Sequence, residues 1–339
     1  MGSSNQHIYR GGSLSSYDKL CQKDMMFGLN KDVYIPMDYG FPSDLNKTDR
    51  SGVRGFLPNE LIRIDPSNPA CIGASYEDGV NVPTLNNLGS IGGSSTIVAN
   101  IPTLQFPKVA RLSTSPNRLE IYTAPMLAFN LNQVNTSTLT FGNTSTLASF
   151  HRLGGKYSIY FVYSARQNAA LNTPSPPSTP TTYRSGILFT TNNSSGVGVQ
   201  LFIGDINNDL FLVLSITRGD TVNSTLAVGD SVRIINDYRN LQYPIVVSLV
   251  GKNVQDGSDI GWVYVNGIRV GNITWGGNPF STSTTSSLVP HLFKRQFTTS
   301  DIMYNMNGGV GDLRIFNVRR DEETHQDIVQ MLMKKYKIA

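Results

Sequence analysis

After about residue 120, apolar residues recur in short segments, separated by turn-forming Gly, Asn, Asp and Pro. Lys156 to Ala165, "KYSIYFVYSA", sets Tyr157, Ile159, Phe161 and Tyr163 on one face at period two, and its other face is largely apolar as well. That is the pattern of a strand buried inside a sheet core. The segments "RLEIYTAPMLAFNL", "STLTFGN", "SGILFTTNN", "VGVQLFIGD", "LFLVLSITRGD", "SVRIIND" and "YPIVVSLVGK" lie around it. Their spacing is that of a β-sandwich. In "GWVYVNGIRVGNITW", Asn266-Gly267 separates two β-prone arms. Asn-Gly accepts positive φ at both turn centres, as a two-residue type I′ hairpin requires. Val310 to Phe316 predicts a final strand.

A single amphipathic helix is predicted after it. Asp321 is a candidate N-cap, and Glu322 and Glu323 suit the positive helix end. Ile328, Leu332 and Tyr336 share one face with Val329 nearby, and Lys334 and Lys335 suit the negative end. The helix is expected to be structural and to pack across an edge or rim of the sandwich.

The first hundred residues differ. Pro and Gly recur in "YIPMDYGFPSD", "RIDPSNPACIGASYEDG" and "LGSIGGSS", and Phe27, Tyr34 and Phe56 are scattered without period. Two readings stand for this region: an extended segment that orders against partner chains, or a small irregular domain packed on the sandwich. The predicted organisation is an irregular N-terminal arm or attachment region over 1–105 and a β-sandwich with a closing helix over 106–339.

Composition narrows the function. Of 339 residues only 15% are charged, against the usual quarter or so, and Asn, Ser, Thr and Gly fill the difference. Such a surface suits neutral hydrogen-bonded contacts. A net charge of +4 is too small and dispersed to argue for nucleic acid. No run of about 18 apolar residues is present, so no membrane-spanning helix is expected. The start lacks the pattern of a signal peptide. Cys21 and Cys71 make neither a disulfide framework nor a zinc site and are expected to be free thiols.

Three kinds of chemistry bear on the function. Glutamates occur only at 60, 77, 120, 322 and 323, with no closely spaced acid–nucleophile array, and the histidines at 7, 151, 291 and 325 are far apart. No enzymatic activity is expected from this set. His325 reads as an exposed or helix-face residue. Asp205, Asn207 and Asp209 alternate like the first half of a calcium loop. Leu210 stands where the turn glycine belongs and no distal Glu is present, so the segment reads as a turn, with no cofactor expected. For a sugar, an aromatic platform beside planar polar groups is needed. Trp275, Asn278 and Phe280, in the Gly-rich loop after the hairpin, are the candidates. Trp275 could equally be a core or intersubunit residue. Trp262, on the strand itself, reads as core.

The order of these pieces resembles the laminin-G-like, concanavalin-A-like jelly roll. The "YVNG" hairpin and the ending "GVGDLRIFNVRRDEETHQDI" carry the resemblance, which covers roughly Ile121 to Ala339. It implies an all-β antiparallel sandwich with a terminal helix, and it is weak for function because lectins, glycosidases, adhesion modules and virion proteins share the sandwich. Together with the polar surface, the expected free cysteines and the irregular arm, the expectation is a non-enzymatic virion structural protein. It would be a bacteriophage head or tail decoration, fibre or adaptor subunit, assembled in the host cytoplasm. Its partners would be other virion subunits bound through the arm, copies of itself, and a host-surface glycan. The alternative is a carbohydrate-binding or adhesion module of a cell-surface or secreted protein.

Overall fold

The computed structural model describes residues 59–338, apart from segments at 97–100, 111–119, 130–138, 141–149, 165–182, 190–198, 218–226, 236–243, 275–279, 281–290 and 294–307 and a few shorter gaps. The chain divides after Pro58, and every described residue belongs to the part that begins at Asn59.

In chain order the first strands are β1 (Glu60–Ile64), β2 (Thr84–Asn86), β3 (Ser94–Thr96), β4 (Thr103–Gln105), β5 (Lys108–Ala110), β6 (Glu120–Tyr122), β7 (Met126–Phe129), β8 (Leu139–Thr140), β9 (Lys156–Ser164) and β10 (Tyr183–Phe189). They continue with β11 (Val199–Ile206), β12 (Asp209–Thr217), β13 (Ala227–Val228), β14 (Ser231–Ile235), β15 (Ile245–Lys252), β16 (Asp259–Val265), β17 (Ile268–Thr274), β18 (His291–Leu292) and β19 (Gly308–Phe316). Helix α1 (Glu322–Lys335) comes last.

Two antiparallel sheets carry the fold. One runs β17-β16-β15-β9-β19-β7-β4, with β1 also paired to β19. The other runs β13-β12-β11-β10-β18-β8, with β14 also on β12. The all-β antiparallel sandwich with a closing helix is the architecture observed. Between the sheets, Tyr157, Ile159, Phe161 and Tyr163 of β9 and Ile245, Val247 and Leu249 of β15 join Leu201, Ile203, Leu212 and Leu214 in one apolar core. Period two thus sends these residues inward, as the sequence pattern requires.

The opposite faces of β9 and β15 are buried too. Tyr160, Val162, Val246 and Val250 lie outside that core, yet none is more than 5% exposed. The helix supplies the cover: Ile328, Val329, Met331, Leu332 and Tyr336 are all buried, and α1 contacts β15. The helix therefore lies on the outer face of the first sheet rather than on a rim. Burial on both faces explains why β15 reads as a nearly continuous apolar run.

Capping and turn chemistry act as expected. The Asp321 side chain accepts from the Thr324 N–H at 2.8 Å. Asn266 (φ 49°) and Gly267 (φ 80°) form the hairpin tip between β16 and β17. The tip is held from two sides. The Asn266 N–H donates to the Val246 carbonyl at 2.8 Å, and Gln326 Nε2 of α1 donates to the Gly267 carbonyl at 3.0 Å.

The domain boundary expected at residue 105 falls inside the first sheet. β1 pairs with β19 from Glu60↔Phe316 to Ile64↔Leu313, and β4 pairs with β7. These strands are only five and three residues long and are set among Pro and Gly, so their pattern is too short to read. The free side of β1 is covered by a loop whose Leu88, Ser90 and Ile91 N–H groups donate to the Arg63, Glu60 and Leu61 carbonyls. An open strand edge is thereby closed.

A buried ionic cluster joins β1, β19 and α1. Lys335 Nζ lies 2.6 Å from Asp65 Oδ1 and 2.5 Å from Asp312 Oδ1. Arg314 pairs with Asp312 at 3.2 Å and with Glu60 at 3.4 Å, and Arg63 pairs with Asp65 at 3.2 Å. The Tyr336 hydroxyl donates to Asp312 Oδ1 at 2.9 Å. Three cations and three carboxylates thus neutralise one another away from water. Burial alone would raise the Asp65 pKa, but Lys335, and then Arg63 and Arg314, outweigh it and hold the carboxyl well below the usual carboxylate range. Lys335, expected to suit the negative end of the helix, is 6% exposed and turned into this cluster.

Candidate functional site

Of the residues singled out in the sequence, the structure describes only some. Phe280 is 5% exposed and belongs to the apolar core, so it offers no open platform for a sugar. Trp275 and Asn278 lie outside the described residues. Ile206 of β11 pairs directly with Asp209 of β12, which leaves two residues for the connection, the length of a tight hairpin. Asp205 and Asp209 sit on the paired strand ends, and Asn207 lies outside the described residues. Among the described residues, no group of three or more His, Cys, Asp or Glu is placed to hold a metal ion. Cys71 is buried and in no disulfide. Its thiol donates to the Asn86 carbonyl at 3.2 Å, and burial pushes its pKa up to about 12. Cys21 lies outside the described residues.

A different constellation stands where α1 begins. Val250, Trp262, Tyr264, Arg319, Arg320, Asp321, Glu322 and His325 line a hollow of about 130 Å³. The sheet supplies its floor: Val250 from β15, and Trp262 and Tyr264 two residues apart on one face of β16. The turn between β19 and α1 supplies the two arginines. Trp262 is half-buried rather than core, because its strand lies near the sheet edge with only β17 beyond it. Two guanidinium groups lie over its ring, Arg319 at 4.1 Å and Arg269 at 4.9 Å from the centroid. Its indole N–H donates to Asp259 Oδ2 at 3.3 Å, and Asn272 Nδ2 donates to Asp259 Oδ1 at 2.5 Å.

His325 lies on the buried face of the helix, 1% exposed, so of the two readings, exposed or helix-face, the second is the one observed. Its ring is tilted against Tyr264 at 4.2 Å and Tyr160 at 5.5 Å. Nδ1 is 3.2 Å from the Tyr160 hydroxyl, whereas Nε2 has no hydrogen-bond partner among the described residues. Burial, partly countered by the Glu322 charge, lowers its pKa to about 4. A ring that stays neutral to that pH is a weak proton acceptor at pH 7.

Sequence reasoning missed this site. Trp262, Arg269 and Arg319 span more than fifty positions, and only the pairing of β16 with β17 and the turn after β19 brings them together. The one local signal was an aromatic pair at period two, Trp262 and Tyr264, with a basic residue beyond it at 269.

No protein-family model and no curated protein matches the chain. Among solved structures the chain is similar to the binding domain of botulinum neurotoxin DC in complex with rat synaptotagmin II, at 13% identity and a TM-score of 0.40. It is also similar to the botulinum neurotoxin serotype D/C VPI 5993 binding domain (12%, 0.41) and the serotype C1 binding domain (13%, 0.39). In each case 81% of this chain and 52% of the other is covered, so the chain spans about half the length of these solved structures.

Proposed function

We propose that the protein is a non-enzymatic binding and structural subunit of a virus particle, of the tailed-phage type. In this reading residues 1–58 attach it to neighbouring subunits or to copies of itself, and the sandwich from Asn59 onward is displayed. The observation that carries the reading is the closure of the sandwich at Asn59. Among the described residues, its core, its covered β1 edge and its ionic cluster are built from the part that begins at Asn59, and residues 1–58 form the other part of the chain. Those residues are left with aromatic side chains such as Phe27, Tyr34 and Phe56 and no strand or helix period of their own. Segments of that kind order against a partner. The low charge and the Asn/Ser/Thr/Gly-rich surface agree with assembly in a host cytoplasm and later exposure on a particle.

Antibody raised against residues 59–339 should label purified virus particles from the source culture. If the chain is absent from particles and found on cell surfaces instead, the second reading holds. That reading, a carbohydrate-binding or adhesion module, is favoured by the half-buried Trp262 ring beside the hydrogen-bonded Asp259–Asn272 pair.

A further inference from the structure

We infer that the hollow at the start of α1 is a binding site for the carboxylate of an acidic sugar. The inference rests on the reading of the sandwich as a binding module and names the ligand class that the reading leaves open.

Four features converge there. Arg319 makes no ion pair or hydrogen bond with any described residue, and its guanidinium lies over the Trp262 ring. A guanidinium held over an indole face by its central carbon keeps N–H groups available for the planar, two-point recognition of a carboxylate. Arg320 lines the same hollow, with its guanidinium over Phe316 at 4.7 Å. The fourteen-residue helix α1 begins at the hollow, and its positive end favours an anion. The last feature is independent of charge: His325, 1% exposed, lines the hollow with an Nε2 that no described residue satisfies. Buried polar atoms are rarely left so. In the tautomer that accepts from the Tyr160 hydroxyl at Nδ1, the proton of the neutral ring sits on Nε2, where it can donate to a carboxylate oxygen.

Two acidic residues share the rim, and both are already engaged. Asp321 caps the helix through Thr324. Glu322 accepts from Gln326 Nε2 at 2.9 Å and from the Tyr264 hydroxyl at 3.3 Å. Their charges offset those of Arg319 and Arg320. The helix end and the uncharged Nε2–H donor therefore tip the balance toward an anion. Size and walls specify the remainder. About 130 Å³ admits a carboxylate and the adjoining edge of a sugar ring, Trp262 and Tyr264 offer apolar faces, and the Asp259–Asn272 pair beside Trp262 can exchange hydrogen bonds with hydroxyls.

The test titrates glucuronate, glucose and an N-acetylated glutamyl peptide into the full chain, read by calorimetry and by the ring signals of selectively labelled histidine. Glucuronate should bind saturably and shift the His325 signals, and glucose should do neither. Arg319→Ala should weaken glucuronate binding at least tenfold with an unchanged melting temperature, because Arg319 is exposed. Arg319→Lys should fall between the two. Equal responses to glucose and glucuronate, or wild-type affinity in Arg319→Ala, overturn the carboxylate site. Binding of the peptide without glucuronate overturns the sugar assignment. A chain found in particles but silent to glucuronate refutes only this site, and a chain that binds glucuronate but is absent from particles refutes only the particle reading.

Discussion

His325 stays neutral in the folded protein down to about pH 4, whereas an unfolded histidine titrates near 6.5. Above about 6.5 both states carry a neutral ring and the group contributes no pH dependence. Between about 6.5 and 4 the unfolded chain binds a proton that the folded chain refuses, so stability falls as pH falls, by about 3 kcal/mol over the window. Urea unfolding at pH 7 and pH 4.5 should show this loss, and His325→Asn should flatten it. Asp65 acts in a separate window. Its folded pKa is depressed, so its contribution is present above about pH 4 and is lost on further acidification. Lys335→Met should cost about 3–5 kcal/mol at pH 7, because it strands Asp65 and Asp312 with fewer cations than carboxylates in a dry site. A melting temperature within a degree of wild type would show that the cluster admits water.

The helix gives the sharpest contrast among the elements. Leu332 is fully buried and Gln330 is exposed. Leu332→Asp should destabilise by about 4 kcal/mol or more, or prevent folding, and Gln330→Asp should be neutral in thermal melts. Gly311→Ala tests the same packing from the strand side, because a Cβ there would come within 2.6 Å of the Tyr336 ring. Its melting point should drop by several degrees. β9, the Asn266-Gly267 hairpin, β19 and α1 were legible in the sequence because each carries a full local signal: alternation, positive-φ residues, or a cap with a helical face. β1 was not, because "ELIRI" mixes charge with apolar residues and reads as surface. Glu60 and Arg63 are buried only because their partners arrive from β19 and from Asp65. The hollow was illegible for a related reason: its aromatic floor and its guanidinium groups come from segments that only the finished sheet brings together.

At the level of the folded unit, the boundary at Asn59 predicts independence. A chain of residues 59–339 should unfold cooperatively with nearly the melting temperature of the full chain, as tracked by circular dichroism. A broad, low transition would mean that residues 1–58 supply part of the core. The ionic cluster has a further consequence. Glu60 and Arg314 are 254 positions apart, and Asp65 and Lys335 are 270 apart. Closing such distances makes folding slow and late. During synthesis, the charges of β1 find partners only after β19 and α1 have been made. A polypeptide that stops at Met333 would lack Lys335 and the Tyr336 hydroxyl, leaving Asp65 and Asp312 undercompensated inside the protein. Such a product should be protease-sensitive where the chain with its closing helix resists, so the last turn of the helix decides whether the first described strand is stable.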